Sequence, residues 1–191
     1  MVDQPPRHKL PAERVVITQL GYDDLPTVRY IHAACYRSIA GRHNGDENVV
    51  AVDDLIRTQA YTDRLADAVR AGTLIGARYE SELVAVAIWS PRSSGARLDS
   101  LLVRPMMTGL GVGTLLLEAV EAAARSAGYK ELALSGAIDT ADFFEERGFT
   151  VLSHGVLTVA GALQIPVAFM RKSLATATIL EPQPSGATPA D

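Results

Sequence analysis

Hydrophobic and polar positions recur along this chain with two different periods. Short apolar and β-branched segments between polar turns predict β-strands, whereas apolar residues three and four positions apart predict helices. The strongest helical pattern covers 111–127, where Leu116 and Val120 share one face and Gly128 follows the last turn. Strands and helices alternate along the chain, so the pattern predicts an α/β fold.

The predicted elements fill most of the chain. Thr62 is expected to cap a helix, and the polar residues 38–50 are expected to form a loop. Because hairpins are mixed with helical crossovers, the sheet should be a mixed one and not fully parallel. Strands are predicted at 14–18, 73–79, 82–89, 96–103, 131–135, 150–158 and 167–172, and helices at 23–37, 53–59, 62–71, 111–127 and 141–147.

Length and composition indicate one globular domain. The chain has 191 residues, which is enough for a single core but tight for two. The proline-containing residues 1–12 are expected to be a flexible N-terminal segment, and residues 175–191, rich in Pro, Ala and Thr, a disordered tail. The folded domain is therefore expected at 13–174.

Charge and cysteine content narrow the classes of function. A net charge of -4 argues against a nucleic-acid partner, and the single Cys35 excludes an intrachain disulfide or a cysteine-based metal site. No apolar run is long enough to cross a bilayer, and the N-terminus lacks the apolar region of a secretory signal. We therefore expect a cytoplasmic protein with no membrane partner and no bound metal.

A glycine-rich turn between a predicted strand and the strongest helix is the most informative segment. Free amide groups at a helix start bind anions, and Gly109, Gly111 and Gly113 would let a phosphate approach the backbone closely. A Walker P-loop is excluded because the Lys is missing, and the G-x-G-x-x-G dinucleotide fingerprint fails in both registers, at Thr114 and at Leu116. A plain turn that lets strand and helix pack remains the alternative.

Two motifs resemble those of the GNAT superfamily of acyl-CoA-dependent N-acyltransferases. The first is similar to the family's V-x-P-x-x-(Q/R)-G-x-G-x-G diphosphate loop, and the second, Ala141–Phe149, resembles its A-x-x-F-Y-x-x-x-G-F helix. The resemblance covers about residues 15–174. It implies a mostly antiparallel central sheet flanked by helices, with a splayed central strand pair. It also implies acetyl-CoA, or another acyl-CoA, as co-substrate.

The resemblance also implies which residues contact the co-substrate. The backbone of one central strand should hold the pantetheine, the loop the diphosphate, and the second motif the thiol end. Two residues depart from the family pattern: Thr108 replaces its Gln or Arg, and Phe144 replaces the Tyr that often protonates the thiolate. The expected contacts are Leu101, Leu102, Val103, Thr108, Gly109, Leu110, Gly111, Val112, Gly113, Thr114, Thr140, Phe143 and Phe144.

Asp99 is the candidate general base because it lies on the strand that should hold the acyl group. Strict alternation would place it on the same face as Leu101 and Val103. A structural carboxylate paired with Arg97 is the alternative. His154, on a later strand, is a second residue that could approach the acyl end.

The acceptor pocket is expected near the end of the first helix. In the family this region lines the acceptor site, which makes Tyr36 and His43 candidates for substrate binding; a solvated loop is the alternative. Cys35 falls on the apolar face of the helix and is expected to pack, whereas His32 is expected at the surface. Glu118, Glu121 and Arg125 should form a solvated stripe on the strongest helix.

The predicted function is acyl transfer to the amine of a small molecule, by direct attack in a ternary complex. A non-catalytic acyl-CoA sensor and a protein N-terminal or lysine acetyltransferase are the alternatives. Homodimerisation is an expectation that comes from the family alone.

Overall fold

The computed structural model describes residues 9–43, 54–159 and 163–175, without the side chains of residues 40–43, 159 and 163. The strands are β1 (Val15–Gln19), β2 (Leu74–Tyr79), β3 (Glu82–Arg92), β4 (Gly95–Val103), β5 (Glu131–Ala137), β6 (Thr150–Val159) and β7 (Leu163–Ser173). The helices with both ends in the described ranges are α1 (Leu25–His43), α2 (Gln59–Arg70), α3 (Val112–Ser126) and α4 (Ala141–Glu145), and residues 54–57 are helical as well.

The described strands form one seven-stranded sheet in the order β1-β2-β3-β4-β5-β7-β6. Neighbouring strands are antiparallel except for β4 and β5. This parallel pair ends after three residues, at Leu98 and Leu134, although both strands continue. The predicted mixed, mostly antiparallel sheet with a splayed central pair is confirmed.

Helices cover both faces of the sheet and divide the core into layers. α3 buries Leu116 and Val120 against the strands on one face, as its period predicts. On the other face α1 and α2 bury Ile31 and Leu65 against β2, β3 and β4. The gap between β4 and β5 therefore opens between two helical layers.

Two helix boundaries differ from the prediction by more than two residues. The first helix continues beyond residue 37 to His43, because Ile39 packs in a small cluster with Ile165 and Val167 of β7. Residues 44–50 of the predicted loop lie outside the described part. α2 begins at Gln59 and not at Thr62, because the Thr58 side chain accepts a hydrogen bond from the amide of Tyr61.

Two polar residues expected at the surface are buried. Glu121 is 4% exposed and forms ion pairs with Arg125, at 2.9 Å, and with Lys172 of β7, at 2.6 Å. His32 is completely buried, and its Nδ1 lies 2.6 Å from the hydroxyl of Tyr61 on α2. Each side chain has a partner on another element, Lys172 for Glu121 and Tyr61 for His32, and helical periodicity does not predict such contacts.

A β-bulge interrupts the alternation in β4. Trp89 of β3 faces Leu98 and Ile88 faces Ser100, so Asp99 is the extra residue. Before the bulge Leu98 faces the core beneath α3; after it Leu101 and Val103 face that core, and Leu102 faces α1 and α2. The prediction that Asp99 shares a face with Leu101 and Val103 is therefore wrong.

Candidate functional site

The glycine turn lies where β4 enters α3. A short 3₁₀ turn, Pro105–Met107, follows β4, and Gly109 and Gly111 have φ angles of 83° and 88°. Gly111 is the N-cap residue of α3, and its left-handed backbone is costly for any residue with a Cβ. The turn therefore exposes the first amide groups of a fifteen-residue helix, which is the arrangement that binds phosphate.

Gly113 differs from the other two glycines because it has an ordinary helical backbone. A Cβ at this position would lie 3.5 Å from Phe143 and from Val103, which is normal van der Waals contact. The fold itself therefore does not require glycine here. A close approach by a ligand to the helix start is a reason for it.

Two cationic side chains beside the turn were missed from the sequence. Arg147 donates to Thr114 Oγ1 from Nε, at 3.0 Å, and from a terminal nitrogen, at 2.8 Å, and it stacks over the ring of Phe143. The side-chain carbons of Lys9 would lie 3.8–3.9 Å from a Cβ on Gly111, and the amide of Leu10 donates to the carbonyl of Leu110. The second motif already contained Arg147, but nothing in the sequence placed its guanidinium at the start of α3.

The β4–β5 cleft, the gap beyond Leu98 and Leu134, offers free backbone groups. The amide of Arg104 donates to Val84 of β3 at 2.9 Å, which marks a hydrogen-bonded pair, and such pairs alternate along an antiparallel ladder. Leu102 is therefore bonded to β3. The amides and carbonyls of Leu101 and Val103 point into the cleft, as a backbone cradle for an extended ligand requires.

Cys35 of α1 reaches the same cleft. Its thiol donates to the carbonyl of Val103 at 3.2 Å, and burial raises the pKa of this thiol to about 11. A thiol with this pKa is almost entirely protonated at neutral pH, and only the thiolate is a good nucleophile. The expected packing role of Cys35 agrees with this environment.

Tyr36 stands beside Cys35 between two clusters of apolar residues. It packs against the core of α1 and α2 and also against the cluster that contains Val167 and Phe169 of β7. Burial raises the pKa of its hydroxyl, which therefore stays protonated. α1 thus bridges the cleft, with Tyr36 near its middle. The side chain of the other expected acceptor residue, His43, lies outside the described part.

The second motif lines the β5 side of the cleft. Thr140 donates to the carbonyl of Ala137 at 2.7 Å, and a Cβ on Gly136 would lie 3.2 Å from both Thr140 and the Phe144 ring. Phe144 is 7% exposed and packs edge to face with Phe143 and Phe149. It has no group that can give a proton to a thiolate.

Asp99 lies at the point where the cleft begins. Its carboxylate is 3.5 Å from Arg97 Nε and 3.4 Å from a terminal nitrogen of Arg92, and it is about one quarter exposed. It can therefore receive a proton from solvent or from a ligand in the cleft. His154 lies exposed on β6, which is separated from β4 by the two strands β5 and β7.

Comparison with known proteins agrees with this geometry. The sequence model of the Acetyltransferase (GNAT) family matches residues 28–149, which is more than half of the chain and includes the glycine turn and most of α1. The chain belongs to the GNAT acetyltransferase family. No curated protein matches the sequence.

Solved structures share the GNAT fold with this chain at low sequence identity. The PaiA N-acetyltransferase from Thermoplasma acidophilum, in complex with coenzyme A, is 18% identical with a TM-score of 0.68, and covers 83% of this chain and 98% of its own. The putative acetyltransferase yncA from Salmonella typhimurium, with acetyl-CoA, is 18% identical with a TM-score of 0.62, over 88% and 99%.

A larger solved structure resembles this chain over about one third of its own length. N-acetylglutamate synthase from Neisseria gonorrhoeae, complexed with coenzyme A and N-acetylglutamate, is 19% identical with a TM-score of 0.59, over 85% of this chain and 35% of its own. At such identities the likeness shows the fold alone. Within the described ranges, no helix of this GNAT protein combines the length and apolarity needed to span a bilayer.

Proposed function

We propose that this GNAT protein transfers an acetyl or short acyl group from acyl-CoA to the amine of a small molecule, by direct attack in a ternary complex. The observation that carries the proposal is the joint geometry of the glycine turn and the β4–β5 cleft. Together they offer helix-start amides for a diphosphate and free strand amides for the arm that follows it.

The residues of this chain divide the binding task between them. The amides of 109–113 contact the diphosphate, whereas that of Thr114 already donates to Gly111, and Arg147 and Lys9 add positive charge beside the diphosphate. The amides of Leu101 and Val103 and the carbonyl of Leu101 bind the pantetheine, since the Val103 carbonyl already accepts from Cys35, and the amide groups at the bulge polarise the thioester carbonyl. Phe143 and Phe144 exclude water from the β5 side.

Two proton transfers then remain. Asp99 accepts the proton of the incoming ammonium, directly or through water. The thiolate leaves without a tyrosine at position 144, so it departs unprotonated or takes a proton from a group on the α1 side. Tyr36 of α1 is the candidate on its position alone, because burial raises the pKa of its hydroxyl and so makes it a weaker acid.

Calorimetry and a turnover assay test the proposal together. We expect the full chain to bind CoA with one site and to release CoA from acetyl-CoA when small primary amines are present. Binding without release with any amine would favour the non-catalytic sensor. If peptides were acetylated far faster than small amines, the protein acetyltransferase alternative would replace the small-molecule acceptor.

A further inference from the structure

A row of three residues crosses the sheet on the face opposite α3. Arg97 of β4 pairs in register with Ala133 of β5, which pairs in register with Arg171 of β7. Their chain neighbours Leu98, Leu134 and Met170 face the core beneath α3. The two arginines therefore project together from the other face, with a small side chain between them.

These residues line a groove of about 410 Å³, which we call the arginine groove and define by Arg92, Arg97, Glu131, Ala133 and Arg171. Neighbouring strands lie about 4.8 Å apart, so the backbones of Arg97 and Arg171 are separated by about 10 Å. The methyl group of Ala133 leaves the space between them open. Guanidinium groups that lean in from both sides would enclose a flat, anionic group.

Positive charge predominates in the arginine groove. Three guanidinium groups face two carboxylates, Asp99 and Glu131, and the three ion pairs between them measure 3.4–3.5 Å. A charge-assisted hydrogen bond is normally 2.7–2.9 Å, and each guanidinium carries five donors. These pairs therefore leave the arginines able to bind a further anion.

The Arg97 side chain is held in place by a hydrogen bond. Arg97 donates to Ser135 Oγ at 2.8 Å, and Ser135 lies immediately beyond Leu134, the last residue of β5 that pairs with β4. This bond holds the guanidinium at the beginning of the cleft and reduces the entropy that anion binding would otherwise cost.

The arginine groove adjoins the place where the proposed chemistry occurs. Asp99, which contacts both Arg92 and Arg97, is the first residue of β4 beyond the pairing with β5. An ammonium group at Asp99 would therefore lie within a few bonds of an anion at Arg97. A small molecule that carries both an ammonium group and an anionic group could therefore contact Asp99 and Arg97 at the same time.

We propose that the arginine groove binds a carboxylate on the acceptor, so that the acceptor is an amine that also carries a carboxylate, as amino acids do. This inference rests on the proposed acyl transfer and adds the substrate class. Asp99 then contacts the ammonium group of the acceptor, and the arginines bind its carboxylate. Arg97, Arg92 and Arg171 are specificity-determining residues.

Matched acceptors test the carboxylate directly. Each L-amino acid is compared with its amide and with the corresponding decarboxylated amine in the acetyl-CoA turnover assay. We expect kcat/KM to favour the carboxylate by on the order of 10-fold or more, as for hydrogen bonds to a charged group. Equal rates across each set would overturn the proposal.

Variants then locate the effect. Arg92→Gln and Arg171→Gln, both at half-exposed side chains, should reduce the ratio of carboxylate to amide kcat/KM towards one. Arg70→Gln, on the exposed surface of α2, is the matched control and should leave that ratio unchanged. A ratio that survives in both groove variants would also overturn the proposal.

Two further arms separate the possible outcomes. Peptides with an acidic second residue and an amidated C-terminus test whether the carboxylate belongs to a protein; faster turnover of these than of free amino acids would assign it to a peptide. If no amine is turned over, the proposed transfer fails but the groove is still tested. NMR titration of the CoA-loaded protein with N-acetyl amino acids and their amides must then show carboxylate-dependent shifts at the arginines.

Discussion

Gly111 and Gly113, at the start of α3, differ in whether the backbone conformation requires glycine. Gly111 has a φ of 88°, whereas Gly113 is helical and a Cβ there meets only ordinary contacts. Gly111→Ala should therefore lower the free energy of unfolding by about 1–2 kcal/mol. Gly113→Ala should preserve or raise stability, because alanine favours a helix, yet weaken CoA binding by on the order of 10-fold.

Thermal unfolding and CoA calorimetry on the two variants check this prediction. Unchanged CoA affinity in a stable Gly113→Ala protein would show that no ligand approaches the start of α3. The Gly128→Ala variant, at a turn remote from the cleft and also with positive φ, controls for the general effect of backbone strain.

Asp99 supplies the second prediction at the scale of residues. Asp99→Asn keeps the shape of the side chain and removes its basicity. We expect CoA affinity to persist while kcat/KM falls on the order of 10²–10⁴-fold, the usual contribution of one acid–base group. A variant with normal rates and a lower melting temperature would instead show that the ion pairs with Arg92 and Arg97 are structural.

At the scale of elements, the packing of α1 against α2 depends on an uncharged histidine. Burial, and to a lesser extent the charge of Arg64, lower the pKa of His32 from 6.5 to about 4. The Tyr61 hydroxyl lies at Nδ1, and Nε2 has no hydrogen-bond partner among the described residues. Protonation of this ring therefore favours the unfolded chain.

The third prediction is the resulting pH dependence. Because the pKa of His32 is lower in the folded state, its stability contribution is complete above pH 6.5 and is lost as the pH falls towards 4. The loss amounts to about 3 kcal/mol, at 1.36 kcal/mol per pH unit. His32→Gln should flatten the curve of unfolding free energy between pH 6.5 and 4, whatever its absolute stability. An unchanged slope, measured by denaturant titration, would contradict this account.

The elements themselves were largely predictable from the sequence, and their exceptions have physical reasons. Periodicity identified the strands, α3 and the hairpin turn at Glu80 and Ser81, because these depend on local preferences and on one buried face. The extension of α1 depends on contacts with β7, and the bulge at Asp99 on pairing with β3. Such features arise only when distant segments meet.

The candidate site was predictable to a similar degree. The glycine turn and the second motif carry local patterns, so the family could be predicted from them, whereas the contacts of their residues with a ligand stay a prediction. The surroundings of other residues depend on partners from distant elements. His32 contacts Tyr61, Arg147 donates to Thr114, and Arg97 and Arg171 of the arginine groove meet through the register of the strands. These contacts cannot be predicted from the spacing of residues along the sequence.

At the scale of the whole molecule, the cleft should be visible in amide hydrogen exchange. The amides of Leu101 and Val103 point into the cleft, whereas the amide of Leu102 is bonded to β3. In the free protein we expect faster exchange at Leu101 and Val103 than at Leu102. Saturating CoA should slow the first two by at least tenfold more than it slows Leu102. Equal protection of all three in the free protein would show that β4 and β5 pair further than residue 98.

The extra residue in β4 has a consequence for how such a protein can diversify. Because Asp99 shifts the alternation, Arg97 before it projects to the acceptor side, while Leu101 and Val103 after it belong to the core beneath α3 and give only backbone to the cleft. Under the proposed acceptor binding, substitutions at 92 and 97 would alter which acceptor is preferred, because neither residue belongs to the part of β4 that is proposed to bind the donor. Deletion of Asp99 would make Leu98 and Ser100 ordinary neighbours on opposite faces, so it would leave both faces in place and remove only the bulge and its carboxylate.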